Sequence, residues 1–270
     1  MHGRVLIIAG SDSGGGAGVQ ADIKTVTALS GYGATAITAL TAQNTQGVHG
    51  IFEVPVDFII KQISVVLSDI GADCIKIGML HRGDVISAVA GTLKEMAGTI
   101  PIVLDPVMVA KGGHSLLEDD AMSALKNILL PMATVITPNI PEAETISGRA
   151  IKTVDDMINA GEAMLALGPG AVLVKGGHMP NSADESLSDV LLRRGANAEI
   201  FSSTRINTTS THGTGCTTAS AIATGLAQGM DLSASVKRAR AYVLEAIKTA
   251  PGYGHGHGPL NHAHTCKKFD

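Results

Sequence analysis

Arg4-Val5-Leu6-Ile7-Ile8-Ala9-Gly10-Ser11-Asp12-Ser13-Gly14-Gly15-Gly16-Ala17-Gly18, running into a helix-period segment that ends near Leu29, is the stretch that decides the fold. Arg4–Ala9 is an almost continuous apolar run, the pattern of a strand buried on both faces of a parallel sheet. The five glycines that follow are more than a plain strand-to-helix turn requires, and they let a ligand approach the main chain closely. Two known fingerprints fail here. Val19 occupies the position where a dinucleotide-binding loop needs its third glycine, and no Gly-Lys-Ser/Thr closes a P-loop. Asp22, one turn into the helix, either faces the same pocket or is a solvated first-turn carboxylate.

The strand–loop–helix alternation continues along the chain. Candidate strands are Arg4–Ala9, Ala34–Leu40, Cys74–Ile77, Ile102–Leu104, Thr134–Thr137 and Ala171–Val174. Candidate helices are Gly18–Leu29, Val56–Ser68, Asp84–Met96, Asp119–Leu130, Val154–Leu167, Thr217–Gln228 and Ser233–Thr249. Between Ser186 and Thr204 the pattern changes to two short alternating runs around Arg194-Gly195-Ala196-Asn197, an antiparallel hairpin at a sheet edge. The expectation is an α/β fold with a three-layer, doubly wound, mostly parallel sheet, right-handed crossovers and a small antiparallel edge hairpin. No linker or internal repeat divides it, so residues 1–270 are expected to form one domain.

Bulk properties narrow the function. Of the 270 residues 45% are hydrophobic and only 3% aromatic, so the core is expected to be aliphatic. A net charge of −4 gives no electrostatic reason to bind nucleic acid or an anionic membrane. Three cysteines without CxxC spacing argue against a disulfide framework and fit a reducing cytosol. The apolar run after Met1 is too short for a signal segment or a membrane span. A soluble cytoplasmic protein is expected.

In open α/β sheets ligands sit beyond the carboxyl ends of the strands, and there the unusual loops gather. Thr211-His212-Gly213-Thr214-Gly215-Cys216 precedes a run of small residues with helical character. Its glycines permit a tight bend, and a helix starting there aims free N–H groups and a positive dipole end at one point, a cradle for a phosphoryl group in transfer. Cys216 in that first turn is expected to have a lowered thiol pKa. Gln43-Asn44-Thr45-Gln46-Gly47 offers amides suited to the edge of a heteroaromatic ring, although such residues also fill ordinary turns. Asp105, with Asn139 and Glu142 after the next strand, suits Mg²⁺ held partly through water; Glu142 could equally be a helix N-terminal carboxylate. Lys175, beside Gly176-Gly177-His178, can reach a phosphate as a point charge. A second Lys-Gly-Gly-His at Lys111–His114 suggests a mobile flap over Lys111–Leu117. The tail His255–His264 holds four of the ten histidines and reads as a surface segment rather than a metal site. Cys74 reads as a buried hydrophobe and Cys266 as an exposed thiol.

Together, Ala9–Gly18, Gln43-Asn44-Thr45, Asp105-Pro-Val-Met-Val-Ala-Lys-Gly-Gly, Thr137-Pro-Asn-Ile-Pro-Glu, Lys175-Gly-Gly-His and His212-Gly-Thr-Gly-Cys resemble the hydroxymethylpyrimidine/phosphomethylpyrimidine kinases of thiamine biosynthesis, within the ribokinase-like superfamily. The resemblance spans nearly the whole chain, including the tail. It implies ATP-dependent phosphorylation of 4-amino-5-hydroxymethyl-2-methylpyrimidine and of its monophosphate, with Mg²⁺, in a homodimer. Carried over, it puts Gly10, Asp22, Gln43, Met79 and Val107 around the pyrimidine and Asp105, Asn139 and Glu142 around Mg²⁺ and water. Lys175 would neutralise the triphosphate, with Asn139, Thr211, His212 and Gly213 on the nucleotide side. Gly213, Thr214 and Gly215 would hold the migrating phosphoryl group by their main-chain donors. Cys216 would be the proton acceptor, where related sugar kinases use Asp. The alternatives are a pyridoxal/pyridoxine kinase of the same superfamily and a catalytically silent ligand-binding regulator. The failed fingerprint disfavours a nicotinamide-dependent oxidoreductase.

Overall fold

A computed structural model of the protein describes residues 1–108, 119–177 and 186–266. Nine strands form one sheet: β1 (Arg4–Asp12), β2 (Tyr32–Asn44), β3 (Gly47–Glu53), β4 (Cys74–Ile77), β5 (Ile102–Leu104), β6 (Val135–Ile136), β7 (Ala171–Val174), β8 (Ser186–Arg193) and β9 (Glu199–Thr204). Their spatial order is β3-β2-β1-β4-β5-β6-β7-β8-β9. From β2 to β7 every pairing is parallel, and β3, β8 and β9 are added antiparallel at the two edges. The expected hairpin is therefore present as β8–β9. The sequence reading missed β3, which with β2 makes a second hairpin turning at Thr45-Gln46. Of the stretch Gln43–Gly47, Gln43 and Asn44 belong to the end of β2 and Gly47 to the start of β3. β3 faces solvent along most of its length and lacks the apolar alternation by which a strand is recognised.

The helices are α1 (Gly18–Ala28), α2 (Val56–Asp69), α3 (Gly83–Met96), α4 (Asp119–Ala124), α5 (Ile140–Ser147), α6 (Val154–Leu165), α7 (Thr214–Ala227) and α8 (Leu232–Lys248). After α4 the chain continues through a π-helical turn, Leu125–Leu129, and a 3₁₀ turn, Leu130–Met132. One helical layer packs through Ile59, Ile63, Val89, Leu93, Ala143 and Met164 against Leu6, Ile8, Ile75 and Ile77. The opposite layer, α1, α7 and α8, packs Val26, Ile222 and Val236 against Val5, Ile7, Cys74, Val103 and Leu173. Alternate residues of one strand thus enter opposite cores, which is why the parallel strands read as unbroken apolar runs. The three-layer, doubly wound arrangement is as expected.

The winding reverses between β1 and β4: the chain steps outward to β2 and then returns to the other side of β1. That reversal opens a crevice at the carboxyl ends of the strands. Among the described residues no helix is long and apolar enough to cross a membrane. The segment Lys111–Leu117, expected as a flap, and His178 lie outside the described residues.

Candidate active site

Asp12 ends β1 and organises the glycine loop. Its carboxylate accepts the N–H groups of Gly14 at 2.8 Å, Gly16 at 3.1 Å and Ala17 at 2.8 Å, and it lies 2.8 Å from His212 Nε2. Both side chains are buried. Burial alone would raise the Asp12 carboxyl, but the His212 bond and the N–H groups of Ala17 and Gly14 hold it below the ordinary carboxylate range. The two glycine-bearing loops interlock so closely that a Cβ on Gly213 would come 1.8 Å from Gly16 O. Gly213 also has φ +86°, a left-handed conformation that glycine adopts without penalty. The sequence reading quoted Asp12 within the loop without giving it a role. It placed His212 beside the nucleotide; its ring lines the cleft but is engaged by Asp12.

From Gly213 the chain enters α7 at once, three residues earlier than expected, so that Cys216 is the third helical residue. The first intrahelical bond runs from Thr217 N–H to Gly213 O, and Thr214 N–H is turned back to Thr211 O at 3.4 Å. Among the described residues the amides of Gly215 and Cys216 have no acceptor in the protein, as the first turn of a helix dictates. They open into a cleft of about 730 Å³ whose wall includes every expected site residue except Asp22.

The charged side of the cleft is built by neighbouring strand ends. Asp105 follows β5 and Lys175 follows β7, and Lys175 Nζ donates to Asp105 Oδ1 at 3.1 Å. Thr137 Oγ1 donates to the same oxygen at 3.2 Å. A Cβ on Gly215 would lie 3.3 Å from Lys175 Nζ and 3.4 Å from Asp105 Oδ2, so the free amides, the lysine and the carboxylate share one spot. Of the two readings of Glu142, the helix N-terminal carboxylate is observed. It is the third residue of α5 in a capping box: Asn139 Oδ1 accepts Glu142 N–H at 3.0 Å and Glu142 Oε2 accepts Asn139 N–H at 2.8 Å. It also lines the cleft, where burial pushes its carboxyl up to about 7 against the opposing pull of Lys175. The helix α5 itself was not foreseen, since Pro138 before its cap and Pro141 in its first turn masked a short segment that the cap starts.

A divalent cation fits this corner. No cluster of three or more His, Cys, Asp or Glu exists among the described residues. Asp105 and Glu142 nevertheless supply two hard oxygen donors, the usual protein share for Mg²⁺ beside phosphates. A cation there would offset the burial that now keeps Glu142 partly protonated.

Gly10, Gln43, Met79 and Val107 line the other end of the cleft. A Cβ on Gly10 would come 2.6 Å from Met79 Cε, so glycine is what lets the thioether lie across the loop. Met79 is held from behind by Thr38 Oγ1, which donates to its carbonyl at 2.8 Å. Gln43 Oε1 accepts from Thr41 at 3.2 Å and its amide nitrogen stands 3.5 Å from His212 Nε2. The amide edge and the apolar thioether thus face the same space.

Two expectations are corrected. Asp22 does not reach the cleft: it is fully buried behind it, 2.8 Å from Lys76 Nζ, and accepts Ser220 Oγ at 2.7 Å. One helical turn into α1 its side chain points toward β4 and α7. Cys216 does not have a lowered thiol pKa. Burial pushes it up to about 12, with Lys76 pulling down and Asp22 and Asp105 pushing further up. The helix terminus is present, but enclosure beside two carboxylates outweighs it.

The residues missed by sequence reading are Lys76, the charged residue in an otherwise apolar Cys-Ile-Lys-Ile strand, and the far end of the cleft. There Lys237, Arg240, Val243, Leu244 and Ile247 of α8 face the segment after β9. Arg240 Nε donates to Asp189 Oδ2 at 2.7 Å, and Asp189 Oδ1 accepts Gly176 N–H at 2.8 Å, tying α8 to the loop of Lys175. The histidine tail is docked over this region: His257 N–H donates to Thr45 O, and Gly258 O accepts His212 N–H. Tyr242 OH lies 3.1 Å from Nδ1 of the buried His262. Cys74 is buried and Cys266 exposed, as expected.

A sequence profile described as phosphomethylpyrimidine kinase matches residues 12–261. The chain is 50% identical over 261 residues to the thiamine biosynthesis bifunctional protein of Geobacter sulfurreducens, aligning 97% of this chain with 52% of that longer protein. It therefore spans about half the length of that relative. It is 45% identical over 259 residues to the hydroxymethylpyrimidine/phosphomethylpyrimidine kinase of Bacillus subtilis, covering 96% of this chain and 94% of the other. Its fold superposes on the ADP complex of Bacillus subtilis pyridoxal kinase with a TM-score of 0.88 at 38% identity, over 97% of this chain and 98% of that one.

Proposed function

This chain belongs to the phosphomethylpyrimidine kinase family, and from that premise we propose that its cleft transfers the γ-phosphoryl group of ATP to 4-amino-5-hydroxymethyl-2-methylpyrimidine and then to the resulting monophosphate, in thiamine biosynthesis. One observation carries the reading: the amides of Gly215 and Cys216, without an acceptor among the described residues, converge with Lys175 and Asp105 at a helix N-terminus. Phosphoryl transfer asks mainly for positioning and charge neutralisation, and that is what these groups offer.

In this account the pyrimidine lies between Met79 and Val107 with its edge on Gln43, which aims the hydroxymethyl group at Cys216. Gly213, Thr214 and Gly215 hold the travelling phosphoryl group, and Lys175 turns from Asp105 to a phosphate oxygen. Asn139, Thr211 and His212 border the triphosphate, with the apolar side chains of α8 against the base. Asp105 and Glu142 would hold Mg²⁺, which when bound supplies charge neutralisation of the phosphates. The hydroxyl proton passes to the Cys216 thiolate, a minority form near neutral pH, as the oxygen attacks phosphorus. Leu40, Ile51, Phe52, Phe58 and Val65 leave apolar surface exposed on the β2–β3–α2 flank, which supports a homodimer formed through that side.

The likeness to a pyridoxal kinase favours one second reading, phosphorylation of pyridoxal. Steady-state kcat/KM on the pyrimidine alcohol and on pyridoxal, with Mg²⁺ and ATP, separates the two. The proposal expects the pyrimidine to be preferred by at least about tenfold, and a preference for pyridoxal overturns it.

A further inference from the structure

Gly254-His255-Gly256-His257-Gly258-Pro259 has glycine at every second position, a pattern that the proposed reaction leaves unused. Close approach explains it. A Cβ on Gly254 would lie 2.3 Å from Thr45 Oγ1, one on Gly256 2.0 Å from Thr45 O, and one on Gly258 2.9 Å from Ser210 Oγ. The tail thus lies first against the turn of the β2–β3 hairpin and then against the residue before the Thr211–Cys216 bend. Hydrogen bonds hold it at both places. Thr45 Oγ1 accepts the N–H of His255 at 3.2 Å and of Gly256 at 3.3 Å, and Thr45 O accepts the N–H of His257 at 2.9 Å. Further on, Gly258 O accepts the N–H of His212 at 3.0 Å, and Pro259 bridges to His212. Beyond that point Leu260 and His262 are buried, and Asn261 N–H donates to Ala246 O on α8 at 3.0 Å. The hairpin needs such a tie. The last residue of β2 paired with β1 is Thr41, opposite Asp12, and β3 is exposed along most of its length. Gln43 therefore stands beyond the parallel sheet. Ser13 Oγ brackets it, accepting its N–H at 2.8 Å and donating to its carbonyl at 2.9 Å, and the tail holds the turn that follows.

We infer that Thr45 is a positioning residue for the transfer: through the tail it ties the hairpin that carries Gln43 to the Thr211–Cys216 bend, and so fixes the pyrimidine end of the cleft against the phosphoryl end. Thr45 itself is not part of the cleft wall, whereas Gln43 and, within the tail, His257 are. The anchors at Gly256 and Gly258 are joined by a stretch of chain that spans at most about 7 Å, so the strap has little slack. Little slack is what the reaction requires. The alcohol oxygen has to stand in line with the γ-phosphorus, and a shift of about 1 Å between reacting groups can cost about 10²-fold in rate. The inference rests on the proposed kinase reading for its purpose, but one arm of its test needs no turnover.

The test compares Thr45→Val, which keeps the shape and removes the hydroxyl acceptor, with Thr45→Ser, which restores it, both in the full chain. The first arm is hydrogen exchange over residues 210–216 at one pH without ligand. Loss of ordinary hydrogen bonds at the hairpin should loosen the tail and speed exchange at His212 by about fivefold in the valine variant, with the serine variant back at the parent rate. The second arm is steady-state kinetics with Mg-ATP and the pyrimidine alcohol. There Thr45→Val should raise KM for the alcohol by about fivefold and leave KM for ATP within about twofold, a split that plain destabilisation would not produce, since it lowers only the active fraction. Gly256→Ala, whose Cβ would be driven against Thr45 O, should cost more, about 10²-fold in kcat/KM for the alcohol. If that variant fails to fold, the two Thr45 variants carry the test alone. Unchanged exchange in Thr45→Val, equal changes in both KM values, or a serine variant as impaired as the valine overturns the inference. A parent that makes no pyrimidine ester refutes the kinase reading and leaves the exchange arm to decide the strap; ester formation with no split in KM refutes the strap alone.

Discussion

Replacing Asp12 with alanine tests whether the phosphoryl cradle is preorganised by the carboxylate that joins its two loops. The change removes the acceptor of three main-chain N–H groups and of His212 Nε2, all inside a buried junction. Each hydrogen bond to a charged group contributes roughly 1.5–3 kcal/mol, but losses within one network are not additive. Breaking one partner of a buried pair costs about 3–5 kcal/mol, which we take as the expected loss. For a chain of this length that lowers Tm by roughly 6–20 °C. Catalysis should fall further than stability suggests, because Gly16 O and Gly213 are in direct contact and any loop shift moves the free amides. Loss of one oriented donor to a developing charge costs about 10²–10³ in kcat. Asp12→Asn keeps the shape and an acceptor oxygen, and should lie between the two. The sign with pH follows from a carboxyl held below its unfolded value. Its stabilisation is complete above the unfolded carboxylate pKa of about 4 and is lost as pH falls through the lower folded value. Thermal unfolding monitored by circular dichroism, with steady-state kinetics on the same samples, measures both effects. An alanine variant with Tm within about 2 °C of the parent and kcat within about threefold would refute the reasoning.

With Cys216 a thiol in the free site, log kcat for the parent should climb with a slope near one between about pH 7.5 and 9.5, and Cys216→Ser should lose the slope and about 10²-fold or more of kcat. Glu142 binds a cation only as carboxylate, and its carboxyl sits at about 7. The Mg²⁺ concentration for half-maximal activity should therefore rise about tenfold per pH unit below 7, while Glu142→Gln should need more Mg²⁺ at every pH and lose that dependence. His262 is buried with its pKa pushed down to about 4, chiefly by burial with Lys24 and His264 adding to it. Its stabilisation of the docked tail is complete above the unfolded value of about 6.5 and is lost as pH falls toward 4, so at pH 5 it is weakened by about 2 kcal/mol. Hydrogen-exchange protection factors over residues 258–264, taken relative to the intrinsic rate at each pH, should fall by about thirtyfold between pH 7 and pH 5 in the parent and not in His262→Gln.

The parallel core was legible because its signals are local. Val5–Ile8 and Ala171–Val174 are buried on both faces and read as unbroken apolar runs, and the hairpin after Ser186 announced itself by alternation around a Gly-Ala-Asn turn. β3 was not legible, because an edge strand facing water needs no apolar pattern, and α5 was hidden by Pro138 just before it and Pro141 in its first turn. In the site, Lys175, Asp105 and Glu142 could be picked out because each follows a strand, and the bend at Thr211–Cys216 because its glycines precede a helix-like run of small residues. What sequence cannot show is which of two opposing fields wins. Cys216 has the helix terminus that lowers a thiol pKa, yet enclosure beside Asp22 and Asp105 raises it. Asp22 sits one turn into a helix at the site and points away from the cleft, toward a lysine fifty-four positions on. Asp12 was visible throughout, but its role depends on a histidine two hundred residues later.

The most direct measurement is phosphorus NMR of the protein with Mg-ATP and 4-amino-5-hydroxymethyl-2-methylpyrimidine, followed over time and repeated with Lys175→Ala. The account predicts that the pyrimidine monophosphate appears with ADP and then gives way to the diphosphate. In the Lys175 variant both steps should slow by about 10² or more, as expected for loss of a charge at the transferred group. ATP that stays intact, or is hydrolysed to free phosphate with no pyrimidine ester formed, would contradict it.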